Sequence, residues 1–302
     1  MRVLRATDMG MCFGVRDALA AAEQLSQPTQ ITIHGQLVHN PVVLESLRQR
    51  GFVLHDETHA ALPRTAQVLI TAHGISDRER QRLAAAGKEL IDTTCPLVRK
   101  AHTAALQLAR DGYHVLVVGQ REHVEVRGLT GDLASFDVLQ KLSDVRRLPH
   151  QKLGILAQTT TTDAEFHTFC HAIGQLNPQA EIKVINTICQ PTKDRQDALA
   201  DLLTQVDVMV IVGGHQSNNT RKLAATCRER GIPAYHVADA DELLPAWFRS
   251  MSCVGLTAGT STLPETIEAV YQRLIRMSEL QKRSAWRMPV RDESSLQTRN
   301  QI

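Results

Sequence analysis

The chain has 302 residues, of which 43% are apolar and 22% charged, and its formal net charge is +2. This near-balance gives no support for binding to nucleic acid or to an anionic membrane, and an aromatic content of 4% leaves few platforms for stacking bases. Because no apolar run reaches the roughly 20 residues of a spanning helix, and because the first residues lack a hydrophobic signal core, we expect a cytoplasmic protein.

The first predicted element is a short apolar strand at residues 1–6, which is followed by Cys12 and a helical pattern in "MRVLRATDMGMCFGVRDAL". The same plan recurs around Cys95 in "KELIDTTCPLVRKAHTAAL" and around Cys189 in "EIKVINTICQPTKDRQDAL". Pro96 suits a first helical turn, where its missing N–H costs nothing. The sequence therefore predicts three strand–cysteine–helix units.

Markers further along the chain keep the same register. A predicted strand ends at a glycine 23, 24 and 24 residues beyond the three cysteines: Gly35, Gly119 and Gly213. Four residues after each glycine stand His39, His123 and Ser217. A last strand in each repeat ends in "TAHG", "LAQT" or "TAGTS", which places His73, Gln158 with Thr159, and Ser261 at strand ends. Three markers in register indicate a true repeat.

The domain organisation follows from the repeat. Alternating strands and helices with short connections predict α/β units with parallel sheets. The third repeat lacks a final strand, and we infer that the N-terminal strand completes it and closes a ring. The predicted fold is α/β, with three pseudo-threefold-related units around a central cavity. The predicted units and tail are 13–95, 96–189, 190–281 plus 1–12, and a polar C-terminal tail at 282–302.

The repeat-matched cysteines suggest a metal centre. In parallel sheets, ligands bind beyond the carboxyl ends of the strands, so threefold packing would bring Cys12, Cys95 and Cys189 together. A helix N-terminus favours the thiolate that binds metal. Three thiolates suit an iron–sulfur cluster in which one iron has no protein ligand, whereas a structural zinc site would need a fourth ligand. The remaining cysteines lack the repeat position and are interpreted as small buried side chains: Cys170, Cys227 and Cys253.

A second set of repeat-matched side chains predicts an anion site. Imidazoles, hydroxyls and an amide from three units can donate hydrogen bonds from several sides, which fits a diphosphate better than a carboxylate. The candidates are His39, His73, His123, Ser217, Asn219 and Ser261. Helix N-termini expected near Pro41, Val126 and Thr220 would add backbone donors. The chain has no P-loop and no G-x-G-x-x-G motif, so nucleotide-binding folds receive no support.

Glu125 is the carboxylate among the matched positions, two residues past His123. An acid beside an anion site is disfavoured unless it is protonated or hydrogen-bonded. The position therefore predicts a proton donor with a raised pKa, oriented by Thr159 at the next strand end.

Over residues 1–275 the chain resembles the LytB/IspH family of 4-hydroxy-3-methylbut-2-enyl diphosphate reductases. The strongest motifs are "CFGV" at 12–15, "LVHNPVV" at 37–43, "TAHGIS" at 71–76 and "DTTCPLV" at 92–98. Weaker ones are "HVEVRG" at 123–128, "QTT" at 158–160, "TICQPTKDRQ" at 187–196, "SNNT" at 217–220 and "TAGTS" at 257–261.

The resemblance implies one [4Fe-4S] cluster per chain, held by Cys12, Cys95 and Cys189, with one open iron to bind the hydroxyl of an allylic diphosphate. It implies that two electrons and protons remove this hydroxyl as water, with ferredoxin or flavodoxin as the electron donor. It also implies that Glu125, with Thr159 and His123, handles the proton. The implied substrate-binding residues are His39, His73, His123, Thr159, Ser217, Asn218, Asn219 and Ser261.

Two departures from the family pattern leave alternatives open. Asn218 stands where the usual Asn-Ser-Ser-Asn loop has a hydroxyl, although its amide can still donate to phosphate. Val124 replaces the proline of the usual His-Pro-Glu. We expect the activity to be retained, because the residues matched to the cluster and acid roles are intact. The alternatives are a paralogue acting on a related phosphorylated substrate, a [4Fe-4S] redox sensor or electron carrier, and a structural zinc protein.

Overall fold

Parallel strands in three separate sheets form the framework. The computed structural model describes residues 1–56 and 61–286, with side chains up to residue 282. Within these ranges the strands, in chain order, are β1 (Arg2–Arg5), β2 (Ile31–His34), β3 (Val53–His55), β4 (Gln67–Ile70), β5 (Glu89–Asp92), β6 (His114–Val118), β7 (Phe136–Leu139), β8 (Lys152–Ala157), β9 (Glu181–Ile185), β10 (Val208–Val212), β11 (Ala234–Val237) and β12 (Cys253–Ala258).

The three sheets have the same strand order, which confirms the predicted threefold α/β architecture. The first is β3-β2-β4-β5, the second is β7-β6-β8-β9, and the third is β11-β10-β12-β1. All of their neighbouring strands run parallel. In the third sheet the N-terminal strand β1 pairs with β12, at the edge that β5 and β9 occupy in the other two. The residue bounds of the three units stay a prediction.

Helices connect the strands. They are α1 (Phe13–Glu23), α2 (Pro41–Gln49), α3 (Asp77–Ala85), α4 (Pro96–Arg110), α5 (Val124–Thr130), α6 (Asp163–Leu176), α7 (Gln190–Leu203), α8 (Asn218–Glu229) and α9 (Pro264–Trp286). Helices α5 and α8 begin two residues before the predicted Val126 and Thr220, because the side chains of His123 and Ser217 accept hydrogen bonds from the first helical turn. None of the described helices is both long and apolar enough to cross a bilayer.

Each sheet buries apolar side chains on both faces, as expected for parallel strands covered by helices. In the third unit Val208, Val210 and Val212 of β10 pack on one side with β12 and α9. Met209 and Ile211 of the same strand face the opposite side, toward α7 and α8. The first and second sheets likewise have one apolar cluster on each face. These cores hold the strand ends in place.

Contacts between the units close the ring. The Asp132 carboxylate of the second unit accepts a 2.6 Å hydrogen bond from the backbone N–H of the first residue of α3. Lys222 of the third unit forms an ion pair with Glu165 of the second. The Asn40 amide of the first unit donates to the backbone carbonyl of Ser261 in the third, at 2.8 Å. Every pair of units is therefore linked by at least one polar contact.

The C-terminal tail differs from the expectation at its start. Helix α9 continues to Trp286, so the first residues of the predicted polar tail, 282–286, are helical. The rest of the predicted tail, 287–302, lies outside the described residues.

Candidate active site

A central cavity lies where the carboxyl ends of the three sheets converge. It encloses roughly 680 Å³, counting the part open to solvent. All of the site residues named from the sequence line it: Cys12, His39, His73, Cys95, His123, Glu125, Thr159, Cys189, Ser217, Asn218, Asn219 and Ser261. Residues from three units therefore meet in one place.

The three cysteines cap three helices from equivalent positions. Cys12, Cys95 and Cys189 are the N-cap residues of α1, α4 and α7, each directly after the loop that follows an edge strand. The Sγ of Cys189 lies 3.0 Å from the Oγ1 of Thr192. The described residues form two groups of three possible ligands whose ligand atoms all lie within 4.8 Å of one another, and the cysteines are not one of them. One zinc ion would need sulfurs only about 3.8 Å apart. At least one pair of the three sulfurs is therefore more than 4.8 Å apart, which fits a cluster that offers a separate iron to each thiolate.

Burial works against the thiolate form of Cys95 and Cys189. Burial raises the pKa of the Cys189 thiol to about 11, while its contact with Thr192 opposes the shift. Burial also raises the pKa of Cys95, although hydrogen bonds from the backbone amides of Leu97 and Val98 at the start of α4 lower it. Contacts at the start of each helix favour the thiolate, but burial outweighs them for these two thiols. A bound cation would compensate for this cost, because it favours the thiolate directly.

The three histidines form a compact group in the same cavity. The Nε2 atoms of His39 and His123 lie 3.2 Å apart, and the ring centroids of His39 and His73 lie 4.6 Å apart. Burial lowers the pKa of all three imidazoles, that of His123 to about 3. The imidazoles are thus neutral at pH 7, and each retains one N–H donor. Neutral imidazoles at this spacing could bind either an anion or a transition metal ion.

The third unit adds hydroxyls and amides beside the histidines, which favours the anion. Ser217 caps α8, and the Ser261 hydroxyl donates to the backbone carbonyl of His39 at 3.2 Å. The Nδ2 of Asn218 donates to the Oγ1 of Thr160 at 2.9 Å, which links the third unit to the second. The Asn219 Nδ2 is buried and has no hydrogen-bond partner within the described part of the chain. A donor without a partner is available to a ligand in this cavity.

Glu125 lies fully inside the protein, with 2% of its surface exposed. Its Oε1 accepts from the backbone N–H of Thr159 at 2.6 Å, and its Oε2 lies 2.9 Å from the Thr159 hydroxyl. Burial raises the pKa of Glu125 to about 7, although both hydrogen bonds from Thr159 lower it. The carboxyl can therefore carry a proton near neutral pH, as the sequence predicted.

Thr160 and Thr192 are among the lining residues that were not singled out from the sequence. Thr160 stands in repeat register with Ser261, since both lie three residues beyond the alanines that end β8 and β12. Thr192 lies three residues after Cys189, where the other repeats have the cavity-lining Val15 and Val98. Both positions could therefore have been identified by comparing equivalent positions in the three repeats.

Together, the fold and the cavity define a threefold α/β protein with a thiol-lined centre of the iron–sulfur type. The family described as LytB protein matches residues 3–275. The chain belongs to this family of iron–sulfur enzymes.

Relatives and solved structures agree with this assignment. The chain is 37% identical to a 4-hydroxy-3-methylbut-2-enyl diphosphate reductase of Aquifex aeolicus, over 92% of this chain and 97% of the relative. It is 37% identical to the protein of the same name from Solidesulfovibrio magneticus, over 91% of this chain and 99% of the relative. Among solved structures, the E-1-hydroxy-2-methyl-but-2-enyl-4-diphosphate reductase of Plasmodium falciparum is similar with a TM-score of 0.83 and 26% identity, covering 91% of this chain and 87% of that one. A structure described as the terminal enzyme of the non-mevalonate pathway has a TM-score of 0.64 at 36% identity, covering 91% and 100%.

Proposed function

We propose that this chain is a 4-hydroxy-3-methylbut-2-enyl diphosphate reductase, the last enzyme of the non-mevalonate isoprenoid route. The C–O bond of the allylic hydroxyl breaks, a C–H bond forms, and two electrons and two protons are consumed. The oxygen leaves as water, and the products are isopentenyl diphosphate and dimethylallyl diphosphate. The observation that carries the proposal is the single cavity in which three thiols, a group of histidines, hydroxyls and amides, and the buried carboxyl of Glu125 meet.

In this proposal Cys12, Cys95 and Cys189 hold one [4Fe-4S] cluster with one open iron. The bound cluster supplies electrons and a Lewis acid for the substrate hydroxyl. The wide sulfur spacing supports this assignment, as does Gly14 in the first turn of α1. A Cβ at Gly14 would lie 2.5 Å from the Sγ of Cys95, so the glycine leaves this thiol free to turn toward a metal.

Gly14→Ala is expected to weaken iron binding roughly 5- to 150-fold, the equivalent of about 1–3 kcal/mol of overpacking strain. The physical reason is that the added methyl group would displace the Cys95 thiol. Iron bound per chain, measured at limiting iron under anaerobic conditions, checks this result. Gly174→Ala, in α6, is the matched control, because its Cβ would meet only the side chain of Ile182 in β9, at 4.0 Å. Equal iron affinity in both variants would contradict the proposed crowding.

The diphosphate lies against the wall formed by the histidines and the third unit. His39, His73 and His123 donate from the first and second units, and the start of α8 donates from the third. The proposed side chains there are Ser217, Asn218 and Asn219, with Ser261 from the end of β12. A dianion near the imidazoles would raise their pKa values and draw protons onto them. Donors from three units would orient the allylic end toward the cysteines.

The proton comes from Glu125, which the Thr159 hydroxyl and backbone N–H hold in position. Its raised pKa keeps a proton available at neutral pH, where an ordinary glutamate would be ionised. His123 lies two residues away, and its Nδ1 accepts from the backbone N–H of Glu125 at 3.1 Å. This bond fixes the start of α5, and with it the backbone of the acid. Each turnover requires Glu125 to be protonated again.

The electrons come from a small one-electron carrier, which we propose to be a ferredoxin or a flavodoxin. Anaerobic addition of 4-hydroxy-3-methylbut-2-enyl diphosphate to the cluster-loaded protein is expected to oxidise reduced methyl viologen, with two viologens consumed per substrate. Product analysis should then show both five-carbon diphosphates. An intact cluster without turnover would reject the substrate assignment while leaving the family membership in place.

One observation keeps a second substrate under consideration. The Asn218 side chain uses its Nδ2 on Thr160, and its Oδ1 is buried without a hydrogen-bond partner in the described structure. A buried acceptor is better satisfied by a ligand that offers a donor there. A related phosphorylated substrate with a hydroxyl at this position would meet that need. Turnover of such a compound at a higher kcat/KM would favour this alternative.

A further inference from the structure

A second cavity adjoins the outer side of the histidine group. It encloses roughly 1140 Å³, counting its open part, and it shares two lining residues with the inner cavity, His39 and His123. The hydrogen bond between the Nε2 atoms of these histidines therefore lies on the wall between the two spaces. A molecule that moves from one cavity to the other at this wall must separate the two imidazoles.

The outer cavity is lined by charged and amide side chains. Arg48 and Arg221 supply positive charge, while Asp56 and Glu122 supply negative charge. Arg48 forms a 3.3 Å ion pair with Glu45 on its own helix, which offsets its charge. The guanidinium of Arg221 instead contacts a neutral group, because its Nη2 donates to the Oε1 of Gln120 at 3.0 Å. Arg221 therefore contributes a positive charge to the outer cavity, and the acceptor in this hydrogen bond is an amide and not a carboxylate.

Arg221 also lies close to the histidine wall. It is in the first turn of α8, four residues after the cap Ser217. Its positive charge contributes to lowering the pKa of His39 and of His123. The arginine therefore acts electrostatically on both imidazoles that separate the cavities.

We propose that the outer cavity is an anion-binding vestibule, in which Arg221 binds the diphosphate group before it passes between His39 and His123. A guanidinium offers two parallel N–H donors to phosphate oxygens, and the neutral Gln120 contact is readily exchanged for such a bond. Asp56 and Glu122 limit the attraction, so the vestibule binds weakly and releases its ligand inward. The proposal rests on the proposed diphosphate chemistry of the inner cavity.

The first test measures binding of inorganic diphosphate to the anaerobic, cluster-loaded protein by titration calorimetry. Arg221→Gln is expected to weaken binding roughly three- to tenfold at low ionic strength, and to raise KM for the substrate with kcat unchanged. The difference should shrink at high salt, because exposed charges are screened. Arg221→Lys keeps the charge and should recover part of the affinity. Arg228→Gln is the matched control, since Arg228 is an exposed arginine in the last turn of the same helix.

Gln120→Glu separates anion binding from a merely structural link. A glutamate would pair with Arg221 and strengthen the bridge between the units, while neutralising the cation. If Arg221 binds diphosphate in the vestibule, Gln120→Glu should weaken diphosphate binding as much as Arg221→Gln does. Unchanged or tighter binding in Gln120→Glu, or equal affinity in Arg221→Gln and Arg228→Gln, would overturn the proposal. Because inorganic diphosphate is the probe, a failure of the reductase assay in the parent protein leaves this test intact.

Discussion

Cys95→Ser is expected to abolish reductase activity and to remove most of the bound iron and sulfide. Cys95 caps α4 and lines the central cavity together with the other two repeat-matched cysteines. A serine hydroxyl remains protonated where a thiol can become a thiolate, so one of three proposed ligands is lost. Loss of a residue that only supports a ligand already costs about 10- to 100-fold. Loss of the ligand itself should therefore exceed about 100-fold. The checks are iron and sulfide analysis and the methyl viologen assay on anaerobically prepared protein.

Cys170→Ser is the control for this experiment. Cys170 lies half-buried in α6, outside the residues that line the cavity, and burial raises its pKa to about 11. Its replacement should leave the iron content and activity of the protein unchanged. If Cys95→Ser retained full iron and full turnover, the proposed ligand set would be wrong. If it bound zinc without sulfide as well as the parent does, the structural zinc alternative would be favoured.

Glu125→Gln is expected to lower kcat roughly 100- to 10,000-fold, with little change in KM, because it removes the proposed proton donor while preserving its shape. The side-chain carbonyl of glutamine can still accept from the backbone N–H of Thr159, which now bonds to Oε1. The amide group can meet the Thr159 hydroxyl in place of Oε2. A fall in kcat would then report the missing proton and not a collapsed site. Single-turnover kinetics with the cluster reduced beforehand measures this step.

The pH dependence provides an independent check on the same residue. Burial raises the pKa of Glu125 from 4.5 to about 7, and the protonated form is the donor. The kcat should therefore be highest below pH 7 and fall as the pH rises through about 7. Glu125→Gln should lose this dependence along with the rate. A parent protein with a flat profile from pH 6 to pH 8 would contradict the proposed role.

Glu122→Gln is the matched control, because it makes the same substitution at a nearby glutamate that lies outside the central cavity. Glu122 lies three residues before Glu125, is exposed, and lines the outer cavity and not the central one. Its kcat should match that of the parent. Reductase activity retained in both variants would contradict the proposed role of Glu125 as the proton donor.

The sequence predicted the architecture well because the repeat is a local pattern. A strand, a cysteine and a helix follow one another within about twenty residues, and both periodicity and the cap position depend on near neighbours. Cys12, Cys95 and Cys189 are N-caps for this reason. The register of the repeats then predicted which strand ends would converge, since equivalent positions in equivalent units face the same axis. The missing strand of the third repeat was identified by the same counting.

The tertiary structure decided what depends on distance and burial between units. Asn218 contacts Thr160 across 58 positions, and His39 contacts His123 across 84. No local pattern specifies these contacts, because they depend on how the three units pack. The pKa of the Cys189 thiol shows the same limit: a helix N-terminus predicts a lower value, but desolvation raises it.

By itself, the sequence determined the three α/β units, their order, and the residue types at each strand end, because periodicity, caps and repeat register are encoded by near neighbours. Only the tertiary structure decided that these side chains form one cavity with neutral imidazoles and a buried carboxyl, and that an arginine lies outside the histidine wall. The physical reason is that solvation and the electrostatic field at each group are set by atoms from all three units, which come together only when the ring closes.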